Sequence, residues 1–497
     1  GRMALTIDST DRRTRRFTLI GALAGTIVAG IIDIGWFRSG NDPQPAPEPI
    51  TIQYVDSVAV MPLANRTGEP SFAHIGVGVA EEIITHLSRI PSLKVISRHS
   101  AQALAQQDLT PTQLGSALNV GHVVDGAITV DGQVLNVSIR YLDARSGEQL
   151  WSDTFSGPLI RPQNLQEEVA RTATDRVVSS IPGVAPPEYP AHRESGGGQE
   201  AYLAGRRFLS QRTTEGMRRA IMEFQRAIEI EPDYAPAHAD LASAYALAIF
   251  YRYDVGIDSY TLAAQSLVFA EHAVALDAEL AAGYAARGYL GALVGQSAAA
   301  VAEDFERAAA LQPNAASIPS WRARSLAQQG QFAEAVAEAR RAIDLDPLSP
   351  GRHIALAELS LQLGDYEQAI AAAQLATTLE PRIFRSRAIE ARALLLSGNP
   401  QRCANLALGP HRVLRATCLK IAGRSAEADA IIEDVLAEIR NKNLQLDGAT
   451  EVVVFEDLAV YYAYRGDVEN ALFWSARAYA ASPAGLEVRV LESELFD

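Results

Sequence analysis

The chain has 497 residues, 48% of them hydrophobic, which is material for roughly three domains with apolar cores. Its formal net charge is −15, and Arg2, Arg12, Arg13, Arg15 and Arg16 crowd the amino terminus, so the bulk is more acidic still. Such a bulk argues against nucleic acid as a partner of this chain. Lysine occurs only at 94, 420 and 442, arginine elsewhere, and alanine is abundant, a usage that points to a bacterial chain from a GC-rich genome. Cys403 and Cys418 lie in apolar helical context without metal-ligand spacing; they read as two free buried thiols, with a disulfide as the alternative.

Residues 1–16 read as a basic cytoplasmic tail, in which Arg12, Arg13, Arg15 and Arg16 precede an apolar run over 17–37. A helix of that length would span about 31 Å, matching a bilayer core of ~30 Å. The basic cluster predicts a cytoplasmic amino terminus and a periplasmic bulk, a single-pass protein of a bacterial inner membrane. A cleaved signal peptide is the rival reading; the length of the run and the lack of a clean small-x-small site count against it. Gly21 and Gly25 form a Gly-x-x-x-Gly pair that would suit a homodimer through this helix, although small residues also occur in single spans. Asp33, near the far end, reaches headgroups or pairs inside the membrane. Residues 38–55 form a Pro-rich linker.

Over 56–183 strands and helices alternate. A buried strand is expected at 57–65, an amphipathic helix at 73–90, a strand at 93–98 and a helix at 112–118. Two hairpins follow, 123–130 with 134–142 across Asp131-Gly132, then 149–155 after Ser146-Gly147. A helix over 165–181 closes an α+β domain, a mixed sheet with helices on one side. The stretches VAVMPLANRTGEP (58–70), GVGVAEEIITHLSRIPSLKVISRHS (76–100) and LNVGHVVDGAITVDGQVLNVSIRYLDARSGEQLWSDTFSG (118–157) resemble the TolB amino-terminal-like domain, with Leu63 where that family often has Phe. The resemblance implies a domain usually followed by tetratricopeptide repeats. It also implies an upstream winged-helix, nucleotide cyclase or kinase domain, none of which this sequence contains. The chain starts Gly1-Arg2, so either Met3 is its start or it is the tail of a longer protein.

Chemistry is hard to place in this domain. Gly76-Val77-Gly78 before a helix is at most the beginning of a phosphate loop, and no Gly-Lys-Ser/Thr follows. His74, His86, His99 and His122 lack the spacing of helical metal ligands. No nucleophile elbow or Ser, His and Asp constellation occurs. The expectation is no catalytic residue, no cofactor and no metal: a binding module, not an enzyme.

A linker at 184–199 leads into 200–497. There AQQGQFAEAVAEARRAIDLDPLSP from Ala327 is echoed by LQLGDYEQAIAAAQLATTLEPRIF from Leu361. Gly330 and Gly364 are 34 residues apart, as are Phe332 and Tyr366, Ala335 and Ala369, Ala342 and Ala376, and Pro347 and Pro381. This period resembles the tetratricopeptide repeat, a helix–turn–helix unit that buries its apolar face only by stacking. Eight units are expected: the first with a long turn at 211–216 and an early Gly205, the second with an insertion near 250–259, the sixth ending at Gly409-Pro410. A capping helix follows at 486–496. Arrays of this family bind peptides with the first helix of each unit; by register Arg324, Glu358 and Arg392 face the groove, as contacts or as solvated charges.

The fold expected is thus multidomain: an amino-terminal transmembrane helix, an α+β domain and an all-α helical-repeat solenoid. The function expected is a membrane-anchored, periplasm-facing scaffold that holds protein partners in its groove. The alternative is the sensory tail of a transmembrane signalling protein. In either case the modules are expected to fail independently.

Overall fold

The computed structural model describes residues 56–481 except 106, 160–161, 186, 188–196, 210, 212, 252–254, 256–258 and 442–447. The segments read as an anchor (17–37), a linker (38–55) and a capping helix (486–496) lie outside the described residues. Among the described residues no helix is long and apolar enough to cross a membrane. Two compact units emerge: one takes in the chain up to Leu359 with Leu375–Pro381, the other Ser360–Gln374 with Arg382 onward. The division falls inside the repeats, not at 184–199.

In the first unit, the strands β1 (Asp56–Val60), β2 (Ala64–Asn65), β3 (Leu93–Val95), β4 (His122–Asp131), β5 (Val134–Asp143) and β6 (Gln149–Pro158) form one sheet. Its order is β3-β1-β4-β5-β6, with β2 beside β4. Central β1 runs parallel to β3 and β4, whereas β4, β5 and β6 are an antiparallel meander. The Asp131-Gly132 turn sits where expected, and Gly132 has φ +60°, a backbone that favours glycine. Strand alternation sends Val58 and Val60 into one apolar cluster and Ala59 and Met61 into another.

Helices α1 (Ala73–Leu87) and α4 (Pro162–Ser179) cover the first face with Ile75, Val79, Ile83, Leu87, Val169 and Val177. On the second face α2 (Arg98–Leu104) and α3 (Pro111–Leu118) contribute Ala101, Leu104, Leu114 and Leu118. Helices therefore flank the sheet on both sides, not on one as expected. The strand read at 93–98 stops at Val95 because Ser97 caps α2, accepting from the Ser100 N–H. Thr110 and Gln113 form a reciprocal capping box that starts α3.

Helical hairpins follow: α5 (Gln199–Leu209) with α6 (Thr214–Ile230), α7 (Ala235–Tyr251) with α8 (Ser259–Leu276), α9 (Ala281–Leu293) with α10 (Ala298–Leu311), and α11 (Ser317–Gln328) with α12 (Phe332–Leu345). Alanines such as Ala242, Ala270, Ala286 and Ala308 are essentially inaccessible and let helices approach closely. Gly205 works the same way inside α5: a Cβ there would come within 2.6 Å of the Phe224 ring. It is a packing residue, not part of the long turn. Gly295 and Gly330 end α9 and α11 with φ of +81° and +76°. Helices α13 (Pro350–Leu363) and α14 (Tyr366–Leu379) each contribute to both units.

The second unit adds α15 (Phe384–Leu396), α16 (Pro400–Ala404), α17 (Arg412–Ile421), α18 (Ser425–Arg440), α19 (Gly448–Tyr464) and α20 (Val468–Ala481). Its core joins Leu394, Leu414, Leu419, Phe455, Leu458, Tyr461 and Trp474. Helix α16 is one turn long, and the chain breaks at Gly409, φ +54°, as expected from Gly409-Pro410. That break folds α16 back on α17 and joins Cys403 to Cys418 as a disulfide, with Cα atoms 5.5 Å apart. The two are not free thiols. Their Cα spacing depends on the fold-back, and sequence distance alone does not reveal it.

Candidate partner-binding surfaces

The three charges placed in the groove by register are each half-buried, on α11, α13 and α15. Arg324 and Glu358 belong to the first unit, Arg392 to the second. The Arg324 guanidinium lies 5.6 Å from the Trp321 ring, which packs 4.6 Å from Tyr289 of the preceding repeat. Arg324 thus rests on an aromatic floor built by consecutive units, a cation–π arrangement that fixes a flexible side chain. Arg392 donates through Nη2 to Asp457 Oδ1 at 3.1 Å. Burial raises the Asp457 carboxyl, and the Arg392 charge opposes it. Burial, then Arg392, also lowers His411 to about 4. Part of the hydrogen-bonding capacity of Arg392 is therefore spent within its own unit. Arg12, Arg13, Arg15, Arg16, Gly21, Gly25 and Asp33, read from the sequence as a membrane anchor, lie outside the described residues.

Gly76-Val77-Gly78 lies inside α1, not ahead of it. A Cβ on Gly76 would stand 2.7 Å from the Leu63 carbonyl oxygen, so this glycine serves close packing. His122 meets Asp56 at 3.0 Å and stacks on Tyr141 with ring centroids 5.0 Å apart. His86 is lowered to about 4 by burial, then by Arg89 and Arg171. Among the described residues no group of three or more His, Cys, Asp or Glu side chains could hold a metal.

Sequence reasoning missed a polar site where the sheet domain meets the repeat turns within the first unit. Asp346, at the end of α12, is buried. Its Oδ1 accepts from Ser97 Oγ at 2.5 Å and Ser100 Oγ at 2.6 Å, and its Oδ2 accepts from Arg352 Nε at 2.8 Å. His99 Nδ1 lies 3.6 Å from it. Burial alone would raise this carboxyl; Arg352, His99, Ser100 and Ser97 outweigh it and hold it well below its ordinary 3.8. One repeat earlier, Asn314 Nδ2 donates to the Ile90 carbonyl at 2.7 Å. Glu81 of α1 accepts from Arg98 and, at 3.2 Å, from Arg206 of α5. The only signal for this site was an acid beside a repeat proline, a common feature of exposed turns.

The model of the family described as anaphase-promoting complex, cyclosome, subunit 3 matches residues 299–376, from α10 to α14. With the helix pairing and the 34-residue period, that match defines the class of the helical region: a repeat solenoid of the tetratricopeptide type, behind a mixed-sheet domain. A putative adenylate cyclase 3 of Rhizobium meliloti (strain 1021) is 28% identical over 191 residues, 37% of this chain. The matched part spans 32% of that relative's length. Among solved structures, a thermophilic TPR protein of Thermus thermophilus is similar at 22% identity and a TM-score of 0.32, over 40% of this chain and 99% of that one. A tetratricopeptide repeat protein of Parabacteroides merdae ATCC 43184 is similar at 12% identity and a TM-score of 0.36, over 60% and 97%.

Proposed function

We propose that this chain is a non-catalytic scaffold, anchored in a bacterial inner membrane by residues 17–37, with its bulk in the periplasm. Its repeats hold one or more protein partners, and its TolB-like sheet domain is a second binding module on the same chain. The observation that carries the reading is the run of stacked helical hairpins with a half-buried arginine, Arg324, set on an aromatic floor. The disulfide supports the compartment, because such bonds persist in oxidising surroundings and are rare in a reducing cytosol. Two modules on one chain raise the effective concentration of their ligands at the membrane.

A photo-crosslinking residue at 324 or 358, in protein within its own membrane, tests the groove. Discrete adducts are expected there and not at 140, an exposed position on the sheet domain. Identical adduct patterns at all three positions would remove the groove from the reading. Protease added to cells whose outer membrane has been opened and whose inner membrane is intact should digest the repeats and spare the arginine cluster; the reverse pattern would overturn the orientation.

A second reading has its own support in the likeness to a putative adenylate cyclase. There the chain is the sensory part of a signalling protein whose output domain lies elsewhere in a longer product. Terminal peptide sequencing of the native protein separates the two. A start at Met3 favours the scaffold, and a folded domain before Arg2 favours the receptor.

A further inference from the structure

Within the first unit the sheet domain meets the repeats at two consecutive turns. Asn314 in the turn after α10 and Leu348 in the turn after α12 are 34 residues apart and occupy equivalent positions. At the first, the Asn314 N–H and Nδ2 donate to the Ser88 and Ile90 carbonyls at 3.3 and 2.7 Å. At the second, the Ser97 N–H donates to the Leu345 carbonyl at 2.8 Å, and the Leu348 N–H donates to Ser100 Oγ at 3.0 Å. The Leu348 side chain packs against the cluster of Ala101, Leu104 and Leu114. Around Asp346 the chemistry is stricter. Arg352, from the first helix of the next repeat, satisfies Oδ2, whereas the hydroxyl donors to Oδ1, Ser97 and Ser100, both come from the sheet domain.

We propose that these turns are a docking surface whose occupant is the chain's own sheet domain, bound as a detachable intramolecular ligand, with Asp346 as the residue that specifies it. A buried carboxylate tolerates no missing donor, because an unsatisfied charge in a dry site costs more than the bond it would have made. Docking is therefore selective for a segment that presents two hydroxyls one helical turn apart from a helix start, as Ser97 and Ser100 do. A foreign protein that reads the same turns must first displace α2.

A protease site placed within 188–196 of the full chain tests this, since cleavage after folding leaves the two halves joined by contacts alone. Wild-type halves are expected to co-elute on size exclusion. Asp346→Asn and the Ser97→Ala/Ser100→Ala pair should each weaken their association at least tenfold and speed amide exchange in 98–104 at least tenfold. Asp346→Glu keeps the charge but lengthens the arm, and should weaken association too. Ser100→Ala alone gives the same readout if the stronger variants fail to fold. Wild-type halves that separate on cleavage, or variants that co-elute as wild type does, would overturn the proposal.

Discussion

The sheet domain and the helical repeats fill their interiors with different residues. Around the sheet the core is Val, Ile and Leu, large branched chains such as Ile83, Val124 and Ile139 that interdigitate across two layers. In the repeats it is largely alanine, with single aromatics such as Phe224 and Phe305 set between helices. The first kind of core holds by the volume it fills, the second by the nearness of backbones that small side chains permit. Opposite substitutions should therefore injure them: truncation in the sheet domain, enlargement in the repeats.

The largest effect is expected from Ile83→Ala. Ile83 is fully buried between α1 and the sheet, and its truncation should cost about 2–5 kcal/mol through lost transfer and an unfilled cavity. Chemical denaturation followed by tryptophan emission measures it, and a cost below about 1 kcal/mol would mean the sheet core is not volume-limited. Next comes the replacement of Cys403 and Cys418 by serine. A cross-link over about 15 residues stabilises by about 3 kcal/mol in the chain-entropy account. The loss should appear as faster amide exchange in 384–440 and leave the sheet domain unchanged. Equal loosening of both regions would contradict their separate cores. Ala342→Leu, at a 1% exposed site on α12, should cost about 1–3 kcal/mol by forcing the α11–α12 pair apart. A neutral result would show slack where the repeat geometry requires contact.

The parts of this architecture that follow from local rules could be read from the sequence. Asp131-Gly132 between alternating strands announces its hairpin, and the 34-residue echo around Gly330 and Gly364 announces the helix pairs. The short helix α2 was hidden because a strand-like run leads into Ser97, and only the cap geometry shows that the strand has ended. Helices on the second face of the sheet were hidden for a different reason: α3 is eight residues long, and its Leu114 and Leu118, one turn apart, mark an apolar stripe without saying which face of the sheet it meets. The docking site at Asp346 was beyond reach because its serine partners stand 249 and 246 residues away. A buried polar network is a property of assembled surfaces. The register that placed Arg324 also placed Arg392, yet the partner of Arg392, Asp457, lies 65 residues on in a less regular repeat.

The smallest effect expected is a difference in acid sensitivity between the two regions, and its sign follows from three groups. His86 and His411 are both lowered from 6.5 to about 4, chiefly by burial. Each keeps its stabilising neutral form above 6.5 and loses ground as pH falls towards 4, because the unfolded chain takes up the proton first. Glu82, one turn before His86 on α1, is raised from 4.5 to about 7, by burial and then by the Glu167 charge. Its contribution has the opposite slope: it is complete below 4.5 and lost as pH rises through 7. Between 6.5 and 4.5 the gain at Glu82 therefore offsets the loss at His86, whereas the acid raised by burial beside Arg392 and His411, Asp457, starts from a lower ordinary value, 3.8, and has its rise opposed by the Arg392 charge. Lowering the pH from 7 to 5 should reduce amide protection, measured against the intrinsic exchange rate at each pH, more in 412–421 than in 73–87. Glu82→Gln should remove the protection and bring the two segments to similar sensitivity. Equal sensitivity in the unsubstituted protein would mean that the half-buried Glu82 on α1 does not shield its neighbour.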